Sequence, residues 1–456
     1  MKKTKHVFFS APLLIACLLL SHGSSAQSGT NSPAQTAFSL KQAQEYALKT
    51  NLNNANAEID IKLARARKNE IQGIGYPQIS GNFDVKDFIE IPTSLIPGAI
   101  FGAPAGTFIP VQFGTRYQTT AGLQISQIIF SSDYLVGLQA SKAYLELSEK
   151  AMKRSQNESN AAVAKAYLNV LVNRERTRLL DANIERLEKL QKDTKALQTA
   201  GFVEAIDVDR IELAFNNLQT EKEKIQRLLG LTETLLKFQM GYDIAQPISL
   251  SDSLPMFSSD LVDITWNNKP SVSGRPEYGL LESQIKLQEL DLKRNRLSYL
   301  PTLAAYGSLS AMAMRNEFDV FSGIRWFPTA LIGGTLNVPV FDGLQKNYRI
   351  EQAKLNLLKS RNGLKSFEQA ATLEINSAGI TYQNALSSLK SQQRNIELAK
   401  NVYRVTKTKY EQGIGSNLEV VTAETALKEA ETNYYSALYD ALVARVDYQK
   451  ATGTLK

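Results

Sequence analysis

The chain has 456 residues, with 52 Lys and Arg against 45 Asp and Glu for a net charge of +7, two histidines and one cysteine. One cysteine excludes an internal disulfide, and so little His and Cys leaves almost nothing for a thiolate or imidazole metal site or a Cys–His catalytic pair. The charge excess is too mild over this length to point to nucleic acid, and no G-x-x-x-x-G-K or G-x-G-x-x-G phosphate loop is present.

Lys2, Lys3 and Lys5 precede an apolar core, Val7–Leu20, and the small residues Ser24-Ser25-Ala26, the pattern of a secretory signal peptide over residues 1–26. The apolar core is too short for a spanning helix, and the mature chain is expected to begin near Gln27. Leu14-Ile15-Ala16-Cys17 has the shape of a lipoprotein cleavage box. Leu18-Leu19-Leu20 then continue the apolar core, where a lipidated terminus normally turns polar, so ordinary cleavage is expected and lipidation of Cys17 stays open. Cleavage would remove His6, His22 and Cys17 together and lower the net charge from +7 to about +4. No cofactor, no metal and no enzymatic activity is expected.

After a polar leader, Ser28–Ala37, the spacing of Ala43, Ala47, Ile59, Leu63 and Ala66 predicts a helix over Leu40–Ile71, stopped by Gly73-Ile74-Gly75-Tyr76-Pro77. A period of two follows. Ile79, Gly81, Phe83 and Val85 share one face, with Gln78, Ser80, Asn82, Asp84 and Lys86 on the other. A second strand, ending at Phe130, sets Tyr117, Thr119, Ala121, Leu123 and Ile125 against Arg116, Gln118, Thr120, Gln124 and Ser126. Between them, Ile91–Gly114 is rich in Pro, Gly and exposed aromatics, as a long outer loop would be. Ser131-Ser132-Asp133 supply the N-cap of a helix running without proline to Thr199. At 1.5 Å per residue, about 67 residues make a rod of roughly 100 Å. Gly201 marks a reversal, and Asp207–Met240 returns with Val208, Ile211, Phe215, Leu218, Ile225 and Leu229 in a coiled-coil seam interrupted by Lys222.

Residues 241–275 carry Pro247, Pro255, Pro270 and Gly274 and read as a linker with short helices. The pattern then repeats. Glu277–Leu297 is a helix. Leu303, Ala305, Gly307, Leu309 and Ala311 form a third apolar strand face, and Ala330, Ile332, Gly334, Leu336 and Val338 a fourth. A long helix capped by Asp342 runs from about Gln345 to Gln412, and Asn417–Ala451 returns with a small-residue stripe of Ala423, Ala426, Ala430, Asn433, Ala437, Asp440 and Ala444. The spacing from Phe130 to Gly201 is about 71 residues and from Phe341 to Gly413 about 72, so the chain is a tandem duplication. The expected organisation is a signal peptide at 1–26, a first repeat at 27–240, a linker at 241–275 and a second repeat at 276–456.

A single strand of about ten residues with one polar face fits a tilted transmembrane strand, but taken alone it reads first as a soluble sandwich strand. Four of them, in two pairs within an exported chain, point to the membrane, with Phe88, Tyr117, Trp326 and Phe327 at strand ends as an interfacial belt or as ordinary packing. Four strands cannot close a barrel in lipid, and open edges there are costly. Eight is the practical minimum, so two copies would give eight strands and three would give twelve.

Leu336-Asn337-Val338-Pro339-Val340-Phe341-Asp342-Gly343 resembles the strand-to-helix signature of TolC-like outer-membrane efflux proteins. Tyr299-Leu300-Pro301-Thr302-Leu303 is similar to their helix-to-strand passage, Tyr410-Glu411-Gln412-Gly413 with Glu419-Val420-Val421-Thr422-Ala423 to their periplasmic tip, and Ala451-Thr452-Gly453-Thr454-Leu455 to their chain end. The resemblance covers nearly the whole mature chain in order. It implies an α+β membrane protein forming a homotrimer, with a twelve-stranded β-barrel in the outer membrane of a Gram-negative bacterium continuous with a twelve-helix periplasmic α-barrel. The implied function is the exit channel of a tripartite efflux or type I secretion system. Its implied partners are a periplasmic adaptor, an inner-membrane transporter of RND, ABC or MFS type, and outer-membrane lipid. An adaptor protein is the alternative reading, although adaptors carry one hairpin rather than two; a diffusion porin would leave the rods without a purpose.

The resemblance also assigns a site. Gly201 and Phe202, with Gly413 and Ile414, fall where the family's helix tips receive the adaptor. Asp207 and Glu419 fall where it places acids at the periplasmic entrance, each a ring of three carboxylates in a trimer, and Tyr410 matches a gate tyrosine. From the residues alone both acids read as first-turn helix acids. Two departures stand out: Gly415 occupies the place of a gate arginine, and Thr422 that of a second acidic ring. Both suggest a gate latched less by salt bridges. The exported cargo is not legible.

Overall fold

The computed structural model describes residues 37–259, 261, 272–319 and 325–455; the expected signal segment and Pro270 lie outside them. In chain order, β1 (Ala37–Phe38) leads into α1 (Leu40–Thr50) and α2 (Leu52–Ile74), then β2 (Gln78–Asp87), a small hairpin of β3 (Thr93–Pro97) and β4 (Phe108–Gln112), and β5 (Tyr117–Phe130). Two long helices follow, α3 (Ser132–Thr199) and α4 (Ala205–Met240), then β6 (Ser249–Leu250) and α5 (Leu254–Ser258). The second unit is α6 (Pro276–Leu297), β7 (Thr302–Arg315), β8 (Phe327–Asn337), α7 (Gln345–Glu411) and α8 (Asn417–Ala451). The helix–strand–strand–long helix–helix order is thus written twice.

The four long strands form one antiparallel sheet in the order β2-β5-β7-β8, so β5 and β7 join the two repeats. Its register aligns the apolar faces read from the sequence. Ile79, Ile125, Gly307 and Ile332 make one row, and Gly81, Leu123, Leu309 and Ala330 the next. The intervening rows carry Ser80, Gln124, Ser308 and Leu331, then Asn82, Gly122, Ser310 and Thr329. The apolar face is bare: Ile79 is 70% exposed, Leu309 59% and Ile332 94%. Strands β2 and β8 each pair on one side only. Both features are costly in water and useful in a closed membrane barrel. Among the described residues, no helix is long and apolar enough to cross a membrane.

Several expectations need correction. The predicted helix over Leu40–Ile71 is two helices, because Asn51 takes an extended conformation (φ −63°, ψ 127°) and serves both. Its side chain accepts from Asn53 N at 2.9 Å and donates to Gln239 O at 2.8 Å, while Thr50 Oγ1 donates to Met240 O at 2.7 Å. The break therefore docks onto the end of α4, a long-range contact invisible to local periodicity. The loop over 91–114 contains the β3–β4 hairpin. Leu344, at φ +67°, holds the N-cap position of α7, although Asp342 Oδ2 still accepts from Lys346 N at 3.0 Å. Phe327 pairs with Met312 in the row of Thr120 and Asp84, on the more polar face, so it does not belong to a lipid-facing belt. In α8 the small-residue stripe is only partly covered: Ala423, Ala437 and Ala444 are buried, but Ala426, Asn433 and Asp440 are exposed, and Leu427 and Leu438 bear more of the packing.

The largest core lies where α1, α4, α5 and α8 meet the middle of α3. There Ala43, Ala47, Val163, Tyr167, Val170, Leu236, Met240, Ile248, Leu254, Leu438 and Leu442 are buried together. Tyr167 is fully buried and donates towards two acceptors, Phe38 O at 2.9 Å and Asp252 Oδ2 at 3.0 Å; Asp252 Oδ2 also accepts from Leu40 N at 2.7 Å. Burial pushes the Tyr167 phenol well above its usual range. Tyr167→Phe leaves these acceptors short of a donor, at about 1–3 kcal/mol, and should lower the heat-dissociation midpoint; an unchanged midpoint would show that the hydroxyl is not structural.

Candidate functional site at the helix tips

Each helical hairpin reverses in the same way. The N–H of Gly201 donates to Gln198 O at 3.0 Å and that of Phe202 to Leu197 O at 2.9 Å. In the second tip Gly413 N donates to Tyr410 O and Ile414 N to Lys409 O, both at 2.9 Å. These are Schellman closures, which need a left-handed residue at the C′ position. Gly201 (φ +80°) and Gly413 (φ +75°) supply it. The closures leave Phe202 79% and Ile414 76% exposed, with Ile206 and Leu418 about half exposed beside them.

The returning helices begin differently. Glu204 caps α4 through its backbone alone, whereas Ser416 Oγ accepts from Glu419 N at 3.3 Å. Asp207 and Glu419 both lie in first turns, where the helix dipole favours a negative charge. Asp207 is also paired with Arg210 at 3.4 Å, and its backbone carbonyl accepts from Asn417 Nδ2 at 2.8 Å. Asn417 is buried and ties the first turn of α8 to the first turn of α4. Glu419 and Thr422 are exposed, and Thr422 Oγ1 donates to Leu418 O of its own helix at 2.7 Å.

Tyr410 reaches across to α3: its hydroxyl lies 3.2 Å from Oγ1 of Thr194, which is fully buried. A Cβ on Gly415 would stand 3.2 Å from Tyr410 N and 3.3 Å from Lys409 Cβ, so this turn lies close against the end of α7. The structure therefore brings Tyr410 to Thr194 and Asp207 to Arg210 and Asn417, and leaves Glu419, Thr422, Phe202 and Ile414 exposed in the single chain. Sequence reasoning missed Thr194, Arg210 and Asn417. The i,i+3 spacing of Asp207 and Arg210 could have suggested that pair; the other two are long-range contacts without a local signal.

The pattern described as Outer membrane efflux protein matches residues 282–454. The efflux pump outer membrane protein TtgC of Pseudomonas putida is 21% identical over 345 residues, covering 74% of this chain and 69% of that one. Outer membrane protein TolC of Vibrio cholerae is 18% identical over 341 residues, covering 74% of this chain and 77% of that one. The open state of the MtrE outer membrane channel of Neisseria gonorrhoeae superposes with a TM-score of 0.72 at 16% identity, covering 94% and 95% of the two chains. The CmeC outer membrane channel of Campylobacter jejuni gives 0.69 at 18% identity, covering 91% and 85%. Residues 282–454 thus carry the outer membrane efflux protein pattern, and the chain as a whole has the fold of these outer membrane channels.

Proposed function

We propose that three copies of this chain form an outer-membrane exit channel, a passive conduit for an efflux or type I secretion system. The observation that carries this reading is the four-stranded sheet with one bare apolar face and two unpaired edges, continuous with two long helical hairpins. Because the sheet holds an even number of antiparallel strands, β8 of one copy can meet β2 of the next with strand directions still alternating. Three copies then give a closed ring of twelve, which removes the exposed edges. A periplasmic adaptor would not need the membrane-facing sheet. The chain's part is conduction rather than catalysis, and energy would come from an inner-membrane transporter joined through a periplasmic adaptor.

In this reading the tips are the regulated end. Phe202 and Ile414, held out by the turns at Gly201 and Gly413, offer apolar contacts for the adaptor. Asp207 and Glu419 line the entrance, where rings of like charge attract cations, and the Tyr410–Thr194 bond holds α7 against α3. Recordings of purified protein in a planar bilayer test this. Asp207→Ala and Glu419→Ala should each reduce cation preference, and Tyr410→Phe should raise resting conductance. Unchanged selectivity in both alanine variants would remove the acids from the entrance.

A further inference from the structure

Above the tips, a buried polar cluster crosses from one hairpin to the other. Arg186 on α3 donates through Nε to Glu424 Oε1 on α8 at 3.2 Å, and through its terminal nitrogen to Asn183 Oδ1. Asn183 Nδ2 donates in turn to Glu431 Oε2 at 3.1 Å, and the guanidinium lies 5.8 Å from the ring centroid of Tyr403 on α7. Asn183, Glu424 and Glu431 are 2%, 4% and 6% exposed. Glu424 Oε2 is buried with no hydrogen-bond partner. Glu424 also lines a cavity of about 140 Å³ between α3, α4 and α8, together with Asn217, Thr425, Lys428 and the apolar Leu187 and Leu218. Lys428 is engaged by Glu221 of α4.

We propose that Glu424 is a buried proton site that clasps the α3–α4 hairpin to the α7–α8 hairpin, closed when the carboxyl is protonated and loosened when it gives its proton to solvent. One guanidinium faces two carboxylates here, since the ammonium of Lys428 is already matched by Glu221. The cluster is therefore neutral only with one proton aboard. The carboxyl whose second oxygen is buried without a close donor is the one that a proton would relieve, because a protonated carboxyl asks for one donor fewer and can itself donate. The cavity beside it has room for several waters at about 30 Å³ each, a route by which the proton can leave.

The direction of the shift agrees. Burial raises the Glu424 pKa above the usual 4.5 and the charge of Glu431 adds to this, while Arg186, by charge and hydrogen bond, and Tyr403 oppose it. A group that holds its proton more tightly when buried stabilises the buried arrangement most at low pH. That stabilisation is lost as pH rises through the raised value.

The test uses the full-length channel in lipid, with spin labels at Asn216→Cys on α4 and Glu429→Cys on α8, both exposed. The distance between the labels should broaden and lengthen as pH rises from mildly acidic to mildly alkaline, through the raised carboxyl pKa. Glu424→Gln, which copies the neutral carboxyl, should hold the short distance throughout. Arg186→Gln removes the charge that lowers the Glu424 pKa, so the transition should move upward by about one pH unit or more; a merely structural role would not move a midpoint. A wild-type distance independent of pH, or a Glu424→Gln variant that tracks the wild type, overturns the proposal.

Discussion

Leu123→Arg should abolish assembly in the outer membrane, while Gln124→Arg, one residue on, should leave assembly intact. Leu123 lies mid-strand in the apolar row with Gly81, Leu309 and Ala330, and is 57% exposed in the single chain. An arginine on the lipid face near the midplane costs about 2–4 kcal/mol, and a trimer would suffer that cost three times. Gln124 faces the other way, in the row of Ser80, Ser308 and Leu331, where in the proposed barrel a charge would meet a water-filled lumen. Heat-modifiable oligomer in the outer-membrane fraction measures both. Equal tolerance of the two arginines would mean that the bare face does not meet lipid.

The second large effect is expected at Gly241. This residue ends α4 at φ +67°, and a Cβ there would lie 2.5 Å from Thr50 O and 2.7 Å from Thr50 C, both backbone atoms. Left-handed strain adds about 1–2 kcal/mol for an ordinary residue, and forcing a methyl into packed backbone about 1–3 kcal/mol more. Gly241→Ala should therefore open the junction between the α1–α2 break and the foot of α4 and lower the heat-dissociation midpoint sharply. Gly201→Ala provides the contrast. Its φ is +80°, but nothing lies within 4 Å of the added methyl, so only the strain term applies. Comparable losses at the two positions would contradict this account of the junction.

The sheet was legible because its rule is local. A period of two writes each strand's two faces into consecutive residues, and the rows of Ile79 with Ile125 and Gly307 with Ile332 follow once the strands pair. The long helices were legible for the same reason, with the seam of Val208, Ile211, Leu218 and Ile225 emerging buried and Lys222 reaching Asp181 at 2.6 Å. Contacts distant in sequence were not. Nothing near Asn51 announces that its amide will bind Gln239, and a helix pattern therefore ran straight through it. Phe327 looked like a belt aromatic because it begins a strand; only the register, which needs the partner strand, assigns its face. The turn glycines of the tips were readable from sequence, while Thr194, Asn417 and the Glu424 cluster depend on how one hairpin lies against the other. The small stripe of α8 shows the converse failure: a pattern of alanines says that close approach is possible, not which neighbour will make it.

The proposed shared barrel can be weighed directly by native mass spectrometry of the mature protein released from detergent micelles. Three chains per particle, with no stable species outside detergent, is the result expected of a sheet whose two free edges are closed by its neighbours. A single chain, soluble and folded without detergent, would contradict it.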